Sequence, residues 1–256
     1  MISLISKVPM FRNAIAMAVL FVLDHLIAKK TKARWFALHF LANFLVVMAS
    51  ALPLWTCITD PFNCGDSRIY SDTSFFGNSS KWPVIIVNAI HVYHVVAFPL
   101  TADERFHHYL FIPTVGFMGQ TFEWGSIVGS LAFFISGLPG GIEYLMLVLV
   151  KHGTIPIIRQ KRVSAVLNVY LRGPCIVITS FLTYQSFIYE KTTVPPLVAF
   201  TVISMSLFNS LYYTKQSVAN FSISHALNRV KRMDSCNLSQ DVMKDKGIKE
   251  PQSSMS

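Results

Sequence analysis

Charge is what this sequence lacks: Asp, Glu, Lys and Arg together make up 14% of its 256 residues, against about a quarter in an ordinary soluble domain. With 52% hydrophobic residues, such a chain reads as one solvated by lipid. Its apolar residues also gather in runs of the length needed to cross ~30 Å of hydrocarbon. Paired cysteines are missing too. Cys57, Cys64, Cys175 and Cys236 form no CxxC, which argues against a zinc ribbon or a thioredoxin-type site. The HxxxH and HxxHH boxes of di-iron desaturases are absent, and no internal repeat is visible. The formal charge of +9 lies between apolar runs and forms no single patch, so it reads as a topology signal and no nucleic-acid partner is expected.

What is there predicts an all-α fold, a polytopic transmembrane helical bundle of six to seven spans. The first apolar run, 13–28, is short and ends in Asp24 and His25, so it is a marginal span, an interfacial helix or an uncleaved signal anchor; no cleavage site follows it closely. The second, 35–55, is uncharged and long enough to span. A polar loop over 56–82 follows, then further runs at 83–100, 106–119, 126–150, 163–189 and 197–213. Pro113 interrupts the fourth of these seven. Residues 222–256 are polar, charged and Ser-rich, the composition of a disordered tail. The domain reading is therefore 1–34 as an N-terminal segment with a basic turn, 35–221 as the bundle, and 222–256 as the tail.

Lys and Arg fall sixteen on one side of these runs and three on the other. Cytoplasmic loops retain such an excess, so the turns at 29–34, 101–105 and 151–162 and the C-terminal tail are expected in the cytosol. Asn78-Ser79-Ser80 is an N-glycosylation sequon in the loop assigned to the opposite, lumenal face. Cys57 and Cys64 bracket the start of that loop, either as a disulfide in an oxidising lumen or as two buried thiols.

Ionisable groups in lipid are costly unless paired or hydrated, so those within the runs are candidate functional residues. Asn88, His91 and His94 recur every three residues along one side of a helix. Two histidines so spaced could hold a metal, but no acid or cysteine completes a ligand set, so hydrogen bonding to neighbouring helices is the expectation and no metal site is assigned. Glu143 and Arg172 lie in neighbouring runs and could form an ion pair or a polar lining. GLPGG, 137–141, should break or kink its helix beside a cavity or a close helix contact.

The stretch TADERFHHYL, 101–110, carries the sharpest signal. Thr101 and Glu104 have the spacing of a capping box, and Asp103 and Glu104 suit the positive end of the helix dipole. His107 and His108 then sit one turn into the helix, near the interface. Asp103 lies four residues before His107 and could orient its ring, so His107 could serve as a general base on a hydroxyl or amine while His108 positions substrate.

The Asp-Pro loop TDPFNCGD before a span, the span's short turn, the Phe106-His107-His108 helix start and the final LFNSLYYTKQSVANF run together resemble the TLC-domain membrane proteins, which include the ceramide synthases. The likeness covers 35–221. It implies a helical bundle around a lipid-accessible cavity in the endoplasmic reticulum or a connected membrane. By that likeness His107 and His108 take the place of the paired histidines used in acyl transfer from acyl-CoA to a sphingoid amine. His91, His94, Glu143 and Arg172 are then expected to line the cavity. Acyl-CoA would be a co-substrate and no other cofactor is expected. Membrane lipid is the expected partner, with assembly as a homo-oligomer left open. Pro113 and GLPGG depart from the synthase pattern. Two readings stand beside this one: a transporter with a polar path at Glu143 and Arg172, and a structural membrane protein without catalysis.

Overall fold

The structure, a computed structural model, describes residues 9–245, with side chains described through Met233. All regular structure among the described residues is helical. The elements are α1 (Met10–Leu26), α2 (Arg34–Thr59), α3 (Trp82–Ala97), α4 (Ala102–Phe111), α5 (Phe117–Thr121), α6 (Ile127–Ala132), α7 (Leu138–Lys151), α8 (Ile157–Leu167), α9 (Gly173–Ile188) and α10 (Pro196–Asp245). Three π-helical turns, Ile112–Gly116, Phe133–Gly137 and Asn168–Arg172, splice α4 to α5, α6 to α7 and α8 to α9 into continuous rods.

Five stretches are long and apolar enough to cross a membrane: Met10–Lys30, Arg34–Thr59, Ile127–Lys151, Ile157–Ile188 and Pro196–Met233. The short first run thus becomes a full-length candidate. α3 is apolar but has only 16 residues, about 24 Å of helix, and the α4–α5 rod is not among the five. Large apolar side chains such as Phe21, Trp55, Phe181, Tyr184 and Leu211 stand on the outside, as on a surface that faces lipid. Inside, α2 buries the small residues Ala37, Ala42, Ala49 and Ser50. Small residues are what helix contacts in lipid select, because they let backbones approach.

The helix contacts close a ring. α2 packs on α3 and on α7, α7 on α8, α8 and α9 on α10, α10 on the π turn after α4, and that turn and α4 on α3. α1 lies outside the ring against α3. Every residue of α6 is buried, where it packs between α2, α3 and α9 and fills the ring at one end. Gly129 makes this fit possible, since a Cβ there would come within 2.6 Å of Pro53.

The 60–81 loop caps that same end. Ser126 N donates to Cys64 O (2.7 Å), Ser79 Oγ to Gly125 O (2.9 Å) and Arg12 Nη1 to Thr73 O (3.0 Å). Asp66 is buried and paired with Arg68 (2.7 Å), whose hydrogen bond lowers its pKa to about 2. Tyr70 donates to Asp60 (2.7 Å), which holds Asp60 below the usual carboxylate range. Cys57 and Cys64 are free, buried thiols in one small cluster with Ile127 and Leu182. Of the two pairings open in the sequence, the structure has the thiols. In the sequon, Asn78 Oδ1 accepts from Asp72 N (3.2 Å) and the buried Ser80 hydroxyl donates to Phe75 O (3.1 Å).

The predicted disordered tail is corrected in part. α10 runs unbroken past Ser222 to Asp245, because no Gly or Pro occurs between Pro196 and Gly247 to stop it. Residues 246–256 lie outside the described residues.

Candidate functional site

The starts of α2 and α4 and the C-terminal end of α3 converge at the end of the ring away from α6. On α2, Trp35 and His39 are four residues apart and so share a face. On α3, His91 and His94 are three residues apart and likewise lie on one side of the helix. On α4 the expected capping box is present: Thr101 Oγ1 accepts from Glu104 N (3.3 Å), and Glu104 Oε2 accepts from Thr101 N (2.8 Å). This fixes the first turn, and with it the direction in which His107 and His108 project.

They project at α3. His107 Nε2 lies 3.3 Å from His91 Nε2, and His108 Nε2 lies 2.8 Å from His94 Nδ1. His94 is stacked on the Trp35 ring, with centroids 3.4 Å apart. Its other nitrogen faces Glu104 Oε1 at 3.9 Å. His39 stacks on Tyr144 at 4.2 Å and meets Trp35 edge-on at 3.7 Å. Five histidines thus share one cluster. They and the residues around the cavity carry several buried polar atoms with no partner: His39 Nε2, His107 Nδ1, His108 Nδ1, Arg172 Nε and Asn209 Oδ1.

Asp103 does not do what its spacing suggested. It is exposed at the rim, and His107 Nδ1, the nitrogen it might have oriented, is without a partner. The ring of His107 has turned to His91, and the acid that reaches the histidines is Glu104, longer by one methylene. Glu104 comes within 3.9 Å of His94, whose other nitrogen meets His108.

Opposite the histidines is a second polar group. Arg172 Nη2 donates to Glu143 Oε2 (3.0 Å), while Asn168 Nδ2 (2.7 Å) and Ser164 Oγ (2.6 Å) both donate to Glu143 Oε1. Arg172 Nη1 also donates to Asn168 Oδ1 (2.5 Å). The ion pair that the sequence allowed is formed, and its carboxylate is fully hydrogen-bonded, as burial requires.

Between the two groups lies a cavity of about 380 Å³. His91, His94, His107, His108, Asp103, Glu143 and Arg172 all line it, so the residues singled out along the sequence meet at one place. Its walls change character in the same sense along three of the rods that line it. α3 goes from Val84 and Val87 to His91 and His94, and α6–α7 from Val128 and Leu131 to Ser136 and Glu143. The α4 rod goes from Asp103 and His107 down to Phe111 and Val115. One end is polar, near the basic turns, and the end against α6 is apolar. No residue of the 60–81 loop lines it.

The three π turns explain how the walls are shaped. Pro113 lies inside the first turn, and Pro139 and Pro174 lie just after the other two. Proline gives no N–H and crowds the carbonyl four residues back, and a widened turn accommodates it without ending the helix. GLPGG therefore continues as helix, and Gly140 sits where a Cβ would come within 2.9 Å of Asn43 Nδ2. Each π turn puts residues on the cavity wall: Val115 and Gly116, Ile135 and Ser136, and Arg172. Such turns recur at functional sites. Trp35, Tyr144 and Tyr213 were not distinguishable along the sequence, since with 13% aromatic residues nothing separates a wall aromatic from a lipid-facing one.

Compared with known proteins, the chain matches no family model, no curated protein and no solved structure.

Proposed function

We propose that this protein binds a membrane lipid, or a lipid-like amphiphile, with its headgroup among the histidines and its acyl portion against α6. The observation that carries this is the one-ended amphipathic cavity. An amphiphile needs apolar walls at one end and convergent polar groups at the other, and pockets of this kind are the usual sites for such ligands. A transporter would need the polar lining to continue to the 60–81 loop. Here α6 and apolar side chains stand in the way. The layout's resemblance to TLC-domain proteins supports the same reading, and the excess of Lys and Arg in the turns at the polar end supports a cytosolic face there.

The test is to purify the full chain in mild detergent and identify bound lipid by mass spectrometry. A lipid retained at near-stoichiometric amount by wild type, and lost when Leu131→Trp fills the apolar end, is the expected result. A cavity that retains no lipid from any membrane in which the protein accumulates would remove the proposal.

A second reading makes the site an acyltransferase, and one observation favours a specific form of it. Glu104, His94 and His108 form a carboxylate–imidazole–imidazole series, so His108, rather than His107, is the ring that a carboxylate backs. His108 would then take the proton as a lipid amine or hydroxyl attacks the thioester carbonyl of acyl-CoA, and would return it to the coenzyme A thiolate that leaves as the C–S bond breaks. Lipid profiles of cells expressing wild type or His108→Ala at equal level decide it: the product present with wild type should fall at least about 100-fold, the lower range for loss of a general base.

A further inference from the structure

His91, His107 and His108 each offer one ring nitrogen, and the three nitrogens lie within 4.8 Å of one another. We propose that these histidines form a binding site for a divalent transition metal of zinc type. The sequence raised a metal only at the His91 and His94 pair and found no ligand set, because no single helix carries one: His91 comes from α3 and the other two from α4.

Four features point to a metal. The first is spacing. Two nitrogens bound to one tetrahedral zinc at about 2.0–2.1 Å stand roughly 3.4 Å apart, and the Nε2 atoms of His91 and His107 stand 3.3 Å apart. The second is donor type, since three neutral imidazoles make a set that zinc and its neighbours in the series accept. The third is the outer support that metal-bound histidines carry. His108 Nε2 is already held by His94, which faces Glu104, so its ring is oriented and its Nδ1 is left buried without a partner. The fourth is access: the three side chains line the cavity, so a ligand position stays open to it, as in catalytic rather than structural sites.

The ion would put a positive charge at the polar end, where a lipid phosphate, carbonyl or hydroxyl oxygen would complete its coordination. This last statement rests on the lipid reading, whereas the metal site does not.

The experiment uses the full chain in detergent, freed of metal with a chelator, loaded with zinc and passed over a desalting column. About one zinc per chain should be retained by wild type and by His152→Ala, whose histidine is exposed and does not line the cavity. Retention should be lost in His91→Ala and in His108→Ala. His94→Ala, which removes outer support only, should weaken binding roughly 10–100-fold. Folding of each variant is checked by gel filtration. Should the alanine variants not fold, X-ray absorption of the zinc-loaded wild type takes their place and should show imidazole nitrogens on the metal. Folded wild type that retains no zinc overturns the proposal, as does zinc retained equally by His91→Ala and His108→Ala, or bound by oxygen or sulfur alone. Lipid measured in the same samples separates the two ideas: metal without lipid defeats only the lipid reading, and lipid without metal defeats only this one.

Discussion

At the scale of single residues, the structure concentrates its polar cost at a few places and satisfies most of it there. Glu143 is held inside the bundle by Arg172, Asn168 and Ser164, which all donate to it. Removing one partner leaves an unpaired charge, so Arg172→Ala should destabilise by about 3–5 kcal/mol, and the double variant Glu143→Gln/Arg172→Met by much less. Thermal unfolding in detergent measures both. Asp66 is a different case, outside the spans. Its pKa is lowered to about 2 by Arg68, so its contribution is full above the unfolded value of 3.8 and is lost as the pH falls through about 2. Hydrogen exchange in the 60–81 loop should therefore rise between pH 4 and 2 in wild type. In Asp66→Asn it should already be raised at pH 7 and change little below.

At the scale of elements, helices continue where composition said they would stop. Each of the three prolines is absorbed by a π turn, and the turn is what brings Ser136 and Arg172 to the wall. Gly140→Ala tests the tightness of one such place. The new methyl would press on Asn43, and a cost of about 1–3 kcal/mol is expected, largely relieved by adding Asn43→Ala. α10 makes the same point at its far end. Beyond Ser222 it still touches the bundle, through Ser224 Oγ, which accepts from Lys161 Nζ (2.6 Å). Ending the chain at Phe221 should lower the melting temperature by a few degrees, about the effect of 1 kcal/mol in a protein of this size. A truncated chain that melts with wild type would show that the extension carries no stability.

At the scale of the whole molecule, what matters is that the ring is closed at one end and open at the other. α6 and the 60–81 loop form the closed end. The basic turns surround the open one, so protease or antibody should reach α10 beyond Ser222 from the same side as the 29–34 turn, in oriented vesicles. Access from the opposite side would overturn the orientation drawn from the Lys and Arg count.

The sequence by itself determined that the chain is helical and membrane-compatible, since low charge and long apolar runs are properties of segments. It also determined the start of α4, because a capping box is written in four consecutive residues, and it marked the residues that would line a cavity, because ionisable groups in apolar runs are few. Only the tertiary structure decided which of them meet. His91 faces His107, Glu104 rather than Asp103 comes near the histidines, and Cys57 and Cys64 meet as thiols in one small cluster. These outcomes depend on how α2, α3 and α4 are rotated against one another. That rotation is set by packing small residues and widened turns across the ring, and no local spacing encodes it.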